Sequence, residues 1–229
     1  MVDSMSKDVV THLERGLIVS CQAPEGSPLG EPKILAQIAL AAEDAGAIAI
    51  RAQGLANIEA IKGAVSVPVI GLIKRWTDSP VYITPAITDV QDLAAVGADI
   101  IALDATDRLR EGGQNAFEFV VEAVHAAGDI PIMADIDDLA SALTAEKAGA
   151  LMVGTTLSGY TGEQVPEGPD VALVAQLKGA LRIPIIAEGR YSTAADVLQA
   201  FSAGAHAVCM GTAITDPWTL TKKLVSALR

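Results

Sequence analysis

The chain has 229 residues, 51% hydrophobic and only 3% aromatic, with a formal net charge of −12. That length suits one domain with a core large enough to need no staples. The acidic balance argues against nucleic acid and anionic membrane, which attract Lys and Arg, so an anionic ligand must be captured by local groups.

In chain order, residues 1–15 are polar, lack the apolar stretch of a secretory signal, and read as a short helix at about 5–15. The run Gly16-Leu17-Ile18-Val19-Ser20-Cys21 is a first strand. Two punctuation marks then alternate. A Gly-Ala step precedes each even strand: Gly46-Ala47, Gly97-Ala98, Gly149-Ala150 and Gly204-Ala205. An apolar-Pro step precedes each later odd strand: Val67-Pro68, Ile130-Pro131 and Ile183-Pro184. Gly after an Ala-rich segment is a helix C-cap, and Pro at a strand start removes no ladder hydrogen bond. Between the strands, residues 34–45, 89–96, 139–148, 171–181 and 193–203 read as helices, and the chain ends in another, from Leu220 onward. Eight parallel strands alternating with helices predict an α/β fold. The expected architecture is a single (β/α)8 TIM barrel of the phosphate-binding type, one domain over 1–229. An open doubly wound sheet is the competing arrangement. No apolar run reaches the ~20 residues of a bilayer span. Cys21 and Cys209 lie in apolar strands and read as reduced core thiols.

Barrels keep their chemistry where strands end and βα loops begin. Those ends carry Gln22, Arg51 with Gln53, Lys74, Asp104, Asp135, Thr155 with Thr156, Glu188, and Gly211 with Thr212. Polar residues also mark the places where strands simply give way to loops, but Lys74 and Glu188 directly end apolar runs, where an unpaired charge is costly. The loops after strands seven and eight, Gly189-Arg190 and Gly211-Thr212, have the composition of a phosphate cradle: glycines, a nearby helix start and one cation. Lys74 can serve as Schiff-base nucleophile, general base or phosphate clamp, or form a structural ion pair. A Lys with two carboxylates, Glu188 and Asp135, suits proton abstraction beside a carbonyl. His12, His125 and His206 lack metal-site spacing, and no protein-built metal centre is expected.

The motifs Ser20-Cys21-Gln22-Ala23, Ile50-Arg51, Gly71-Leu72-Ile73-Lys74-Arg75, Tyr82-Ile83-Thr84-Pro85, Ala102-Leu103-Asp104-Ala105-Thr106, Ala134-Asp135-Ile136, Gly154-Thr155-Thr156-Leu157-Ser158-Gly159-Tyr160-Thr161, Ala187-Glu188-Gly189-Arg190-Tyr191 and Gly211-Thr212-Ala213-Ile214-Thr215 together resemble the N-acylmannosamine-6-phosphate 2-epimerase family over nearly the whole length. The resemblance implies interconversion of N-acetylmannosamine 6-phosphate and N-acetylglucosamine 6-phosphate in cytoplasmic sialic acid catabolism. It implies no cofactor, and a homodimer. It makes Lys74 and Glu188 catalytic. Gln22, Arg51, Asp135 and Thr155 become substrate-binding, and Gly189, Arg190, Gly211 and Thr212 phosphate-binding. Two departures stand out: Asp216, where a basic residue is expected, and Asp137 with Asp138, read as solvated rim charges where Ser or Thr is expected. The rival functions are a Schiff-base sugar-phosphate lyase and a non-catalytic sugar-phosphate sensor.

Overall fold

A computed structural model describes residues 4–162 and 165–228. Eight parallel strands, β1 (Leu17–Cys21), β2 (Ala49–Gln53), β3 (Val69–Leu72), β4 (Ile100–Asp104), β5 (Ile132–Asp135), β6 (Met152–Gly154), β7 (Ile185–Glu188) and β8 (Ala207–Met210), pair in chain order. β1 also pairs with β8, at Ile18 and Cys209, so the sheet closes. Around it run α2 (Pro32–Asp44), α3 (Leu55–Lys62), α4 (Ile87–Ala95), α5 (Ala116–Ala127), α6 (Leu139–Ala148), α7 (Val171–Ala180) and α8 (Ala194–Ala203). α9 (Thr212–Thr215) and α10 (Pro217–Ser226) follow β8, and α1 (Ser4–His12) precedes β1. The predicted closed barrel is the observed fold.

Both punctuation marks have local causes. Gly149 and Gly204 cap α6 and α8 in the left-handed region, φ 102° and 104°, where a Cβ would be strained. Pro68, Pro131 and Pro184 have no N–H to donate. Their carbonyls still serve the barrel, accepting from Ile50 (2.9 Å), Ile101 (3.0 Å) and Val153 (3.0 Å) on the preceding strands. The amides just before two of these prolines are taken by carboxylates at helix ends: Glu43 accepts from Val67 and Glu146 from Ile183. The backbone at the N-terminal rim is thereby satisfied without an edge.

Alternate residues of each strand point inward. Ile18, Ala49, Ile70, Ile100, Met133, Met152, Ile186 and Ala207 fill the barrel's lower interior, and all are buried. Leu13, fully buried beside them, plugs the N-terminal end. His206 holds it shut: its ring Nε2 lies 3.0 Å from the Val10 carbonyl, and its own carbonyl accepts from the Arg15 amide. His206 therefore sits at the rim opposite the one that carries the polar strand ends. Because the lower interior is packed, a ligand can enter only from the C-terminal rim, where the inward positions turn polar: Ser20, Arg51, Asp104, Asp135 and Glu188. No helix among the described residues is long and apolar enough to cross a membrane.

Candidate active site

A cavity of about 1180 Å³ opens at that rim. Gln22, Arg51, Lys74, Glu188, Gly189, Arg190, Gly211 and Thr212 line it, as do Gln53 and Thr156. Asp135 and Thr155 stand behind the wall, which separates them from the surface positions expected of substrate contacts. Asp135 is fully buried and gives both carboxylate oxygens to Arg51. Thr155 braces β6 to β7: its hydroxyl donates to the Glu188 carbonyl (2.8 Å) and accepts from the Glu188 amide (2.9 Å). Sequence reasoning sees a polar residue at a strand end. It cannot see whether that residue faces the ligand or holds a neighbour that does.

Arg51 organises the centre. Its guanidinium is 1% exposed and reaches Asp135 at 3.0 and 2.5 Å and Glu188 at 2.9 Å. Thr156 donates to the same Asp135 carboxylate at 2.6 Å. Two carboxylates thus share one Arg at the cavity wall, Asp135 behind it and Glu188 lining it. Burial raises the Glu188 carboxyl above the usual range, Arg51 opposes the rise, and Asp135 adds to it. Burial raises both cysteine thiols, Cys21 to about 12, so they are protonated at neutral pH and behave as the expected core thiols.

Lys74 does not end β3, which stops at Leu72. It lies in a β-bridge with Ile83, across the excursion that follows the strand. Its ammonium makes no ion pair among the described residues. Burial lowers its pKa below the ordinary lysine value, and the nearby Arg51 lowers it further, against the opposing pull of Glu188 and Asp135. A lysine so placed gives up its proton more readily than a free one.

At the other end of the cavity, Gly211 caps the one-turn α9, and the backbone amides of Thr212 and Ala213 donate to nothing among the described residues. The amides of Gly189 and Arg190 are likewise uncommitted. Such groups at a helix start attract an anion. The Arg190 side chain lines the cavity and has a second, structural task. At φ 64° it turns its guanidinium to the carbonyls of Gly168 (2.7 Å) and Ser158 (2.6 Å), fastening the β6–α7 loop. Asp216 has a structural explanation: it is the N-cap of α10, accepting from the Thr219 amide at 2.9 Å while lining the cavity. Lys223, on the same helix, also lines the cavity, a cation that sequence reasoning missed. Asp137 and Asp138 are more than solvated charges. Asp138 caps α6 through the Ser141 amide, and Asp137 accepts from the Ser141 hydroxyl.

Asp104, also a strand end, is fully buried and bound by Thr106 and Arg108. It is part of the β4–α5 loop's scaffold and does not line the cavity. Three polar atoms stand out on cavity residues: Gln22 Oε1, Arg51 Nε and the Tyr191 hydroxyl are buried and find no partner among the described residues. Each is a place where a polyhydroxylated ligand could supply the missing hydrogen bond. No group of three or more His, Cys, Asp or Glu among the described residues could hold a metal ion.

A closed parallel barrel with a perturbed lysine, a carboxylate pair around one Arg and two loops with uncommitted backbone amides at its C-terminal rim defines a (β/α)8-barrel enzyme. The family model described as "Putative N-acetylmannosamine-6-phosphate epimerase" matches residues 35–229. A relative from Caldanaerobacter subterraneus subsp. tengcongensis, named "Putative N-acetylmannosamine-6-phosphate 2-epimerase", is 46% identical over 98% of this chain and 96% of its own. One of the same name from Klebsiella pneumoniae is 52% identical over 87% of this chain and 84% of its own. The solved structure of N-acetylmannosamine-6-phosphate 2-epimerase from Clostridium perfringens superposes with a TM-score of 0.88 at 41% identity, covering 96% of this chain and 95% of that one. The chain belongs to the N-acetylmannosamine-6-phosphate epimerase family.

Proposed function

We propose that the chain interconverts N-acetylmannosamine 6-phosphate and N-acetylglucosamine 6-phosphate by removing and returning the proton on C2. The observation that carries this reading is Lys74: a lysine of lowered proton affinity with no ion pair among the described residues, beside the Arg51–Asp135–Glu188 cluster, in a cavity whose far end offers backbone amides uncommitted among those residues. The C2 hydrogen is acidic only when C1 is an aldehyde, so the pyranose opens first. Glu188, whose carboxyl burial raises above the usual range, is suited to move a proton at the ring oxygen or O1. Neutral Lys74 then takes the C2 proton. The negative charge develops on O1 of an enolate that carries the acylamino group on C2, and Arg51, held in place by Asp135, supplies a fixed cation close to it. Return of a proton to the other face of planar C2 gives the epimer.

In this proposal the phosphate rests on the amides around Gly189, Arg190, Gly211 and Thr212, and Gln22 Oε1 accepts a sugar hydroxyl. Asp135 and Thr155 act from behind the wall, holding Arg51 and Glu188. The whole chain works as one catalytic domain without a bound cofactor. The cytoplasm is its place, which the two free thiols support. A homodimer is part of the reading on the family resemblance alone. The test is turnover of the purified protein against Lys74→Met. The variant should bind N-acetylmannosamine 6-phosphate yet lose turnover by ~10³-fold or more. Retained turnover would remove Lys74 from its role.

A further inference from the structure

The excursion after β3 carries a second feature next to Lys74. The Arg75 amide donates to the Tyr82 carbonyl (2.9 Å) and the Thr84 amide to the Ile73 carbonyl (2.6 Å), closing it as a short antiparallel pair. The Arg75 guanidinium binds Asp89, which is fully buried at the start of α4, so the base of the excursion is tied to the barrel wall. On this base the Trp76 indole stacks on Tyr82, with ring centroids 4.5 Å apart and planes 18° from parallel. Tyr82 is itself backed by Arg108, 6.0 Å from its ring centroid. Trp76 lines the cavity with Tyr82 and Ile83, yet is 69% exposed. One face of the indole is thus covered and held, and the remainder is open apolar surface whose order is already set by the stack.

The chemistry at C2 says what that surface meets. C2 carries the acylamino group, and Lys74 must reach the hydrogen on C2. The acyl carbons, two and three bonds further out, then lie within a few ångströms of the lysine. Ala213 and Leu220 on the same wall belong to the α9–α10 end, with the phosphate amides, and Ala23, Pro24 and Leu157 line the cavity after β1 and β6. Trp76 is two residues from Lys74.

We infer that Trp76, seated on Tyr82, is the acyl-binding surface of the sugar site and sets its preference among N-acyl groups. The inference rests on the proposed epimerase reading. Because the indole stands at an open lip, acyl groups longer than acetyl gain contact with it and meet no wall.

The experiment compares N-acetyl, N-propanoyl, N-butanoyl and N-glycolyl mannosamine 6-phosphates in the native protein and in Trp76→Ala and Trp76→Phe. In the native protein KM should fall by about two- to fourfold per added methylene. N-glycolyl, near propanoyl in size but polar, should gain nothing. In Trp76→Ala the gradient should flatten while kcat for the acetyl sugar stays within about twofold, the mark of lost uniform binding. Trp76→Phe should keep part of the gradient. In parallel, Trp218→Phe leaves Trp76 as the sole tryptophan. Its emission should change on titration with each sugar phosphate, with half-saturation following the same order. A gradient unchanged in Trp76→Ala, or Trp76 emission unmoved by saturating ligand, would overturn the assignment. If none of the sugars is epimerised, the reading of the reaction fails, whereas the emission titration needs only binding and still decides the role of Trp76. Absence of both turnover and an emission response would refute both.

Discussion

Lys74 carries its amine into a cavity where Arg51 already stands, and its affinity for a proton falls for that reason as well as by burial. Its folded pKa lies below its unfolded one, so between the two values the unfolded chain binds more protons and stability rises with pH. Below the folded value the whole penalty of the charged lysine is present. Lys74→Met should therefore unfold at a higher temperature than the native protein at neutral pH, about 2–4 °C for each kcal/mol gained. The gain should shrink as the pH enters the ordinary lysine range. Calorimetry across pH checks this, and a lower midpoint at neutral pH would mean that the lysine is a structural partner. Arg51 is the opposite case, since removing it leaves Asp135 and Glu188 as unpaired buried neighbours. Arg51→Met should cost about 3–5 kcal/mol in denaturant unfolding. Arg51 was legible as a cation near a strand end, and Lys74 as one after an apolar run, although β3 itself stops at Leu72. The division of labour behind them was not: that Asp135 and Thr155 support the wall is a matter of which atoms face which across β2, β5, β6 and β7.

At the scale of elements, the alternating Gly-Ala and apolar-Pro steps were readable because each does a local backbone task. A left-handed cap needs Gly149 or Gly204 whatever surrounds it, and a Pro at a strand start spends only its carbonyl. The excursion between Lys74 and Ile83 was visible only as extra length, since its antiparallel bridge depends on docking to α4. Two further tasks were hidden for a related reason. The sequence marks Arg190 as a phosphate-binding cation and Asp216 as a departure from a basic position, and neither the loop that Arg190 fastens nor the helix that Asp216 starts can be read from charge. Two variants separate the cap of α10 from its charge. Asp216→Ala should destabilise by about 1 kcal/mol. Asp216→Ser keeps a capping oxygen, so it should hold stability within about 0.5 kcal/mol. It should also lower KM for the sugar phosphate, because a carboxylate no longer faces the dianion. An equal KM in both proteins would place the phosphate away from α10.

The whole molecule is a barrel closed at one end by α1 and Leu13 and open at the other onto balanced charge. Arg51, Lys74, Arg190 and Lys223 face Glu25, Glu167, Glu188 and Asp216 around the cavity. With the lining near neutrality, the chain's −12 governs the approach of an anionic substrate from a distance. Raising ionic strength from ~10 to ~150 mM, which shortens the screening length from about 30 to about 8 Å, should raise kcat/KM and leave kcat nearly unchanged. A fall would show that the local cations steer the substrate.

The most direct test of proton transfer at C2 is proton NMR of N-acetylmannosamine 6-phosphate with the purified protein in deuterated water. The expected result is loss of the C2 proton signal as the gluco epimer appears carrying deuterium at C2. An epimer that retains its full C2 proton signal, or bound sugar phosphate that neither epimerises nor exchanges, would contradict it.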